Sequence, residues 1–298
     1  MKEELRKYFN SQKEKGFLKE HNFQKIYSEF LDFQKSFFPK RKKNDLLKDD
    51  FDFLHLIYYR NSALWLNINT KFDFLKHEKL DDISKLFYDY INILTLTQNN
   101  LLTIDHLCYN GFDHQAFLIV RNHLELFELA LSILGDEEMY QFYKELIGQG
   151  ENAINRSIKF SNTSKTNQKI LKKIREKPGF EFYDGFFKDL SEFKINNYKK
   201  YSASVHPDRT TVWISAHAST DDETLKTCYG GKRSKRTQDI LYDIFLIEVI
   251  LFQYILAVQI NSHKMNFEKY GKDAEEMAFL VAGVWHLYGI KIKKYYKK

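Results

Sequence analysis

Proline is scarce in this chain, with three residues in 298, and glycine is held to 12. Structures rich in turns need both, so a many-stranded β-sandwich or barrel is excluded and long helices are favoured. Cysteine is scarcer still. Cys108 and Cys228 form no CxxC pair, which excludes a disulfide scaffold and fits a reducing cytosol. No apolar signal stretch follows the charged Met1-Lys2-Glu3-Glu4-Leu5, so no secretory leader is expected. No Walker A, GxGxxG or GxSxG motif occurs, which removes the commonest nucleotide-binding and hydrolase readings. There is also no internal repeat with a period of about 20 to 50 residues.

What is present is helical periodicity. The stretch Phe112 to Asp136 is apolar on more than one face, through Leu118, Ile119, Val120, Leu124, Leu126, Phe127, Leu131 and Leu134. Such a segment is predicted to be the central, mostly buried helix of an all-α bundle. A polar stripe of His114, Arg121, Glu125, Glu128 and Ser132 recurs at helical spacing along it. On a buried helix these charges would need partners, and Arg121 and Glu125, four apart, are placed to satisfy each other.

Other helices are predicted on either side. Two amphipathic segments broken near Gly16 make an N-terminal arm over 1–45, with Phe17, Phe23, Ile26, Tyr27, Phe30, Phe33 and Phe37 as its apolar face. The remainder, 46–298, forms the main helical domain. Asp49 to Thr70 is expected to bury Phe51, Leu54, Ile57, Tyr58, Leu64 and Trp65. Leu80 to Tyr109 has a core face running from Ile83 to Ile104, and Asn110-Gly111 turns it back on the central helix as an antiparallel hairpin. Gly135-Asp136 then caps the central helix. Thr237 is read as the cap of a long buried helix ending near Ser262, and Asp273 to Tyr288 as the last helix. The segment Ile240 to Ile260 is the most membrane-like, but Asp243, Glu248, Gln253 and Gln259 argue for a buried core helix. Thr210 to Tyr229 alternates and is β-branched, which predicts one small hairpin or flap. Leu118, Phe127, Leu131, Phe245, Leu251 and Ile255 are expected in the core, each worth about 2–5 kcal/mol on truncation to alanine.

Charge is uneven. The chain carries +6, but between Arg156 and Arg236 there are 18 basic residues against 9 acidic ones. A basic middle third suits a polyanion such as RNA, with Lys199, Lys200, Arg209, Lys232, Arg233 and Arg236 as candidate contacts. A lysine-rich solvated surface would look the same. Within it, Tyr198 to Asp208 ends a helix with Ser202 and His206 four residues apart, so hydroxyl and imidazole share a face ahead of Pro207. His206, Asp208, His217, Asp221 and Asp222 include metal-binding types, but their spacing matches no compact zinc signature, so no metal or cofactor is expected.

The R-x-x-x-E helix at Arg121 and Glu125 is followed by the S-x-x-x-H-P helix end at Ser202, His206 and Pro207. This pattern resembles a bacterial family of all-helical proteins of unknown function related to the HEPN class, which includes RNA-cleaving toxins and phage-defence effectors. The likeness covers about Leu80 to Tyr254. It implies a HEPN-like effector, a metal-independent RNase and a homodimer, since HEPN sites are usually composed at dimer interfaces. HEPN ribonucleases carry arginine and histidine about four to six residues apart on one helix. Here Arg121-Asn122-His123 is too close and Arg209 to His217 too far. Arg121 and His206 would have to meet across two helices, with Arg121 on phosphate, His206 transferring a proton, and Glu125 and Ser202 beside them. The other reading is a non-catalytic helical module that binds nucleic acid, a nucleotide or a partner protein.

Overall fold

The computed structural model describes residues 1–38, 45–72, 81–147, 172, 217–219, 225–227, 235–263 and 274–295. Eight helices lie within them: α1 (Lys2–Glu14), α2 (Phe23–Phe37), α3 (Lys48–Phe72), α4 (Asp82–Tyr109), α5 (Asp113–Gly135), α6 (Glu137–Ile147), α7 (Lys235–His263) and α8 (Ala274–Tyr295). They alone make up more than half of the chain, so the protein is mostly α-helical. The expected hairpin over 210–229 falls for the most part outside the described residues. Within that range His217–Ser219 and Leu225–Thr227 are two short antiparallel segments.

Side-chain pairs fix how the helices run. His55 meets Asp105 and Trp65 meets Thr95, so α3 and α4 are antiparallel. Asn100 meets Asn122 around the Gly111 turn, whose φ of 77° suits glycine, and α5 returns beside α4. Thr237 meets Asp113 and Glu248 meets His123, so α7 runs parallel to α5, and Gln238 on Asp50 with Glu248 on Arg60 sets it parallel to α3 as well. The helices α3, α4, α5 and α7 thus form a four-helix bundle. Its core includes Phe53, Phe87, Tyr90, Phe127, Leu131, Phe245 and Ile255. Removing such surface from water is the main force holding the bundle together, at roughly 25 cal/mol per Å².

The outer helices close two sides. From α2, Phe30 and Phe33 pack on Tyr59 while Phe38 stacks on His55 at 3.7 Å. Tyr8 of α1 stacks on His286 of α8. Lys291 of α8 reaches back to Asp50 at 2.6 Å. At the α1–α8 crossing, a Cβ on Gly283 would lie 2.9 Å from Cδ1 of buried Leu5, whereas one on Gly289 would meet nothing within 4 Å. Replacing a helical glycine with alanine ordinarily stabilises by about 0.5–1 kcal/mol. Gly289→Ala should show that gain. Gly283→Ala should fall below it by about 1 kcal/mol or more, because Leu5 must move. Urea unfolding of the two variants checks the pair, and equal gains would contradict the close approach.

Several expected positions are corrected. Leu118 is half-buried rather than core, and the side chain of Leu251 lies outside the described residues. Phe17, Phe37 and Ile83 are exposed, each sitting at or near a helix end, although the Phe37 ring still meets Tyr58 of α3. Trp65 is half-exposed, with its indole N–H on Thr95. Thr237 does not cap α7. The helix starts two residues earlier, and the Thr237 hydroxyl donates to Asp113 at the start of α5. Gly135-Asp136 does end α5, with Asp136 as its C-cap, and the Asp136 side chain also accepts from the backbone N–H of Met139 in α6. The last helix runs on to Tyr295. No helix among the described residues is long and apolar enough to cross a membrane, and Glu248, inside the most membrane-like segment, is an ion-paired core residue.

Candidate functional site

Helix α5 buries Ala116, Val120, His123, Leu124, Phe127, Ala130, Leu131 and Leu134, a stripe at steps of three and four. That stripe sets the direction of every other side chain on the helix. Arg121 and Glu125 fall outside it, with 22% and 46% of their side-chain surface exposed. The expected buried charge stripe is therefore corrected: most of it lies on the outer part of α5. His114 and Glu128 are half-buried, and Ser132 is sealed, its hydroxyl donating to the carbonyl of Glu128 at 2.9 Å. Arg121 Nε donates to Glu125 Oε1 at 2.9 Å within the helix. Near the start of α5, burial and the charge of Arg236 hold His114 below its usual imidazole range. Arg236 is the member of the expected basic set that falls within the described residues. Ser202, His206, Lys199, Lys200, Arg209, Lys232 and Arg233 lie outside them.

The charges that are buried are different ones. Arg60 of α3 and Glu248 of α7 pair at 2.9 Å with both side chains fully sealed. Asn61 Nδ2 donates to the same Glu248 oxygen at 2.9 Å, and the other oxygen takes His123 Nε2 at 2.8 Å. Arg60 Nε and Nη2 both donate to Asn61 Oδ1, and Nη2 also reaches the Glu248 carbonyl. The guanidinium lies 3.6 Å above the Phe252 ring. Burial pushes Arg60 down to about 10 against the opposing pull of Glu248, which leaves it a cation at neutral pH. His123 Nε2 faces the Glu248 carboxylate as a donor, and its Nδ1 is sealed on the far side of the ring.

A second sealed pair lies one end away. His55 Nε2 donates to Asp105 at 2.9 Å, and Gln34 of α2 donates to His55 Nδ1 at 2.8 Å. Because an amide N–H can only donate, this fixes the His55 tautomer and leaves the ring with no free nitrogen. Among the described residues no group of three or more His, Cys, Asp or Glu is placed to hold a metal.

No protein-family model, curated protein or solved structure matches the chain. The chemistry therefore rests on the geometry. Arg60, Asn61, His123 and Glu248 are closed to any substrate and serve the packing of three helices. Arg121 is the guanidinium of the R-x-x-x-E pattern, and solvent reaches it. The sealed cluster was not anticipated. Its signals were a histidine standing at an apolar position of α5 and a lone carboxylate in the apolar run of α7.

Proposed function

We propose that the chain is a HEPN-like effector of a bacterial stress or phage-defence system, a cytoplasmic metal-independent RNase with Arg121 in its site. The observation that carries this reading is the setting of Arg121. It is outside the sealed ion cluster, with 22% of its side chain open to solvent and Glu125 bracing its Nε. A planar guanidinium held that way suits a phosphate, which it binds through paired N–H donors. Metal-free cleavage also needs a group to take the 2′-hydroxyl proton, and His206 is the candidate, with Ser202 on the same face. Lys199, Lys200, Arg209, Lys232, Arg233 and Arg236 would draw the RNA in. The division into a 1–45 arm and a 46–298 HEPN-like domain, and assembly as a homodimer, belong to the same proposal.

One observation favours the second reading, a non-catalytic module. An exposed ion pair four residues apart on a helix is common and contributes only about 0.3–0.5 kcal/mol, with no reaction behind it. In that case the basic stretch binds nucleic acid, a nucleotide or a partner protein without chemistry. Incubating the purified full chain with total RNA, with and without EDTA and beside His206→Ala, separates the two. Cleavage that survives EDTA and disappears in His206→Ala supports the RNase. Retention of RNA without cleavage supports the module.

A further inference from the structure

All four bundle helices contribute to one polar layer at the middle of the core. Arg60 and Asn61 come from α3, Gln98 from α4, His123 from α5 and Glu248 from α7, and all are buried. The His55–Asp105 and Trp65–Thr95 pairs set Gln98 opposite position 62 of α3, and the Asn100–Asn122 contact sets it beside position 124 of α5. With a rise of about 1.5 Å per residue, Gln98 lies within one helical turn of Arg60 and His123 along the bundle axis. Glu248 has both oxygens engaged by Arg60, Asn61 and His123. What remains in the layer is Arg60 Nη1, His123 Nδ1 and both polar atoms of Gln98, each sealed from solvent and without a hydrogen-bond partner in the protein.

Groups left in that state carry the full cost of losing water. This set is also chemically complementary. Arg60 Nη1 and Gln98 Nε2 are donors, Gln98 Oε1 is an acceptor, and His123 Nδ1 takes whichever role its proton dictates. The one full positive charge is already matched by Glu248, so a second ion of either sign would enter without compensation. A guest must be small, neutral, and both donor and acceptor.

We propose that this layer is an internal binding site for a small neutral hydrogen-bonding molecule, water, held between Arg60 Nη1, Gln98 and His123 Nδ1. Buried waters typically make about three hydrogen bonds to groups of this kind. The guest would tie Gln98 of α4 to the hydrogen-bonded cluster of α3, α5 and α7. This inference is independent of any activity toward RNA.

Oxygen-17 magnetic relaxation dispersion on the full chain detects waters held longer than the protein tumbles. The expected result is a dispersion in the wild type whose amplitude falls in Gln98→Met and in Gln98→Leu. A wild type with no dispersion overturns the proposal, as does an unchanged amplitude in the variants. Failure of both variants to fold supports it, because deleting a glutamine whose polar atoms bond to nothing would leave the fold intact or strengthen it.

Discussion

Glu248→Ala loses about 3–5 kcal/mol of folding free energy, the cost of stranding one partner of a buried ion pair. The magnitude follows from what the carboxylate does. Its two oxygens accept from Arg60, Asn61 and His123, and all of these side chains are closed to water. Without it, a cation remains in the core with Asn61 Oδ1, the main-chain carbonyl of residue 248 and the Phe252 ring as its company. Domains of ordinary stability hold about 5–15 kcal/mol, so the loss is a large share of the total. Urea denaturation of Glu248→Ala measures the loss. A shift under about 1 kcal/mol would show that the pair is not sealed. Pairing the substitution with Arg60→Met should recover part of the loss, since removing both charges costs far less than removing one.

On the proposed RNase reading, His206→Ala should abolish RNA cleavage while the bundle stays folded, a fall of at least about 100-fold if the imidazole transfers a proton in the rate-limiting step. Arg121→Ala falls as far. The double variant should be no worse than either single one, because groups that act as a unit are lost together. Single-turnover cleavage of total RNA in EDTA by the three proteins reads this directly. Additive losses would mean that the two residues act in separate places, and full activity in His206→Ala would leave the module reading.

The helices were legible where apolar spacing is regular. Helices α3, α4 and α5 begin and end within a few residues of the ranges read from periodicity, and the Asn110-Gly111 turn is where the dipeptide puts it. Faces were harder than elements. Leu118 and Ile83 have the same composition as core residues, and only the direction of the neighbouring helix leaves them partly or largely uncovered. The Arg121–Glu125 pair was legible because it is local, four residues along one helix. Its exposure was not, because that depends on which side of α5 meets α4 and α7. The sealed cluster was least legible. Arg60 and Glu248 stand 188 residues apart, and no local spacing announces that they meet. His123 does carry a trace, since it holds the place between Val120 and Phe127 where a core side chain belongs.

Arg60 is sealed in the core ion cluster, and Arg121 is the arginine proposed to contact RNA. The most direct measurement is cleavage of RNA in EDTA by purified Arg121→Ala, with its urea midpoint recorded on the same sample. The predicted result is a wild type that cleaves and a variant that does not, unfolding within about 0.5 kcal/mol of wild type as expected for a surface substitution. A variant that cleaves as well as wild type, or that loses activity only because it has unfolded, contradicts the assignment.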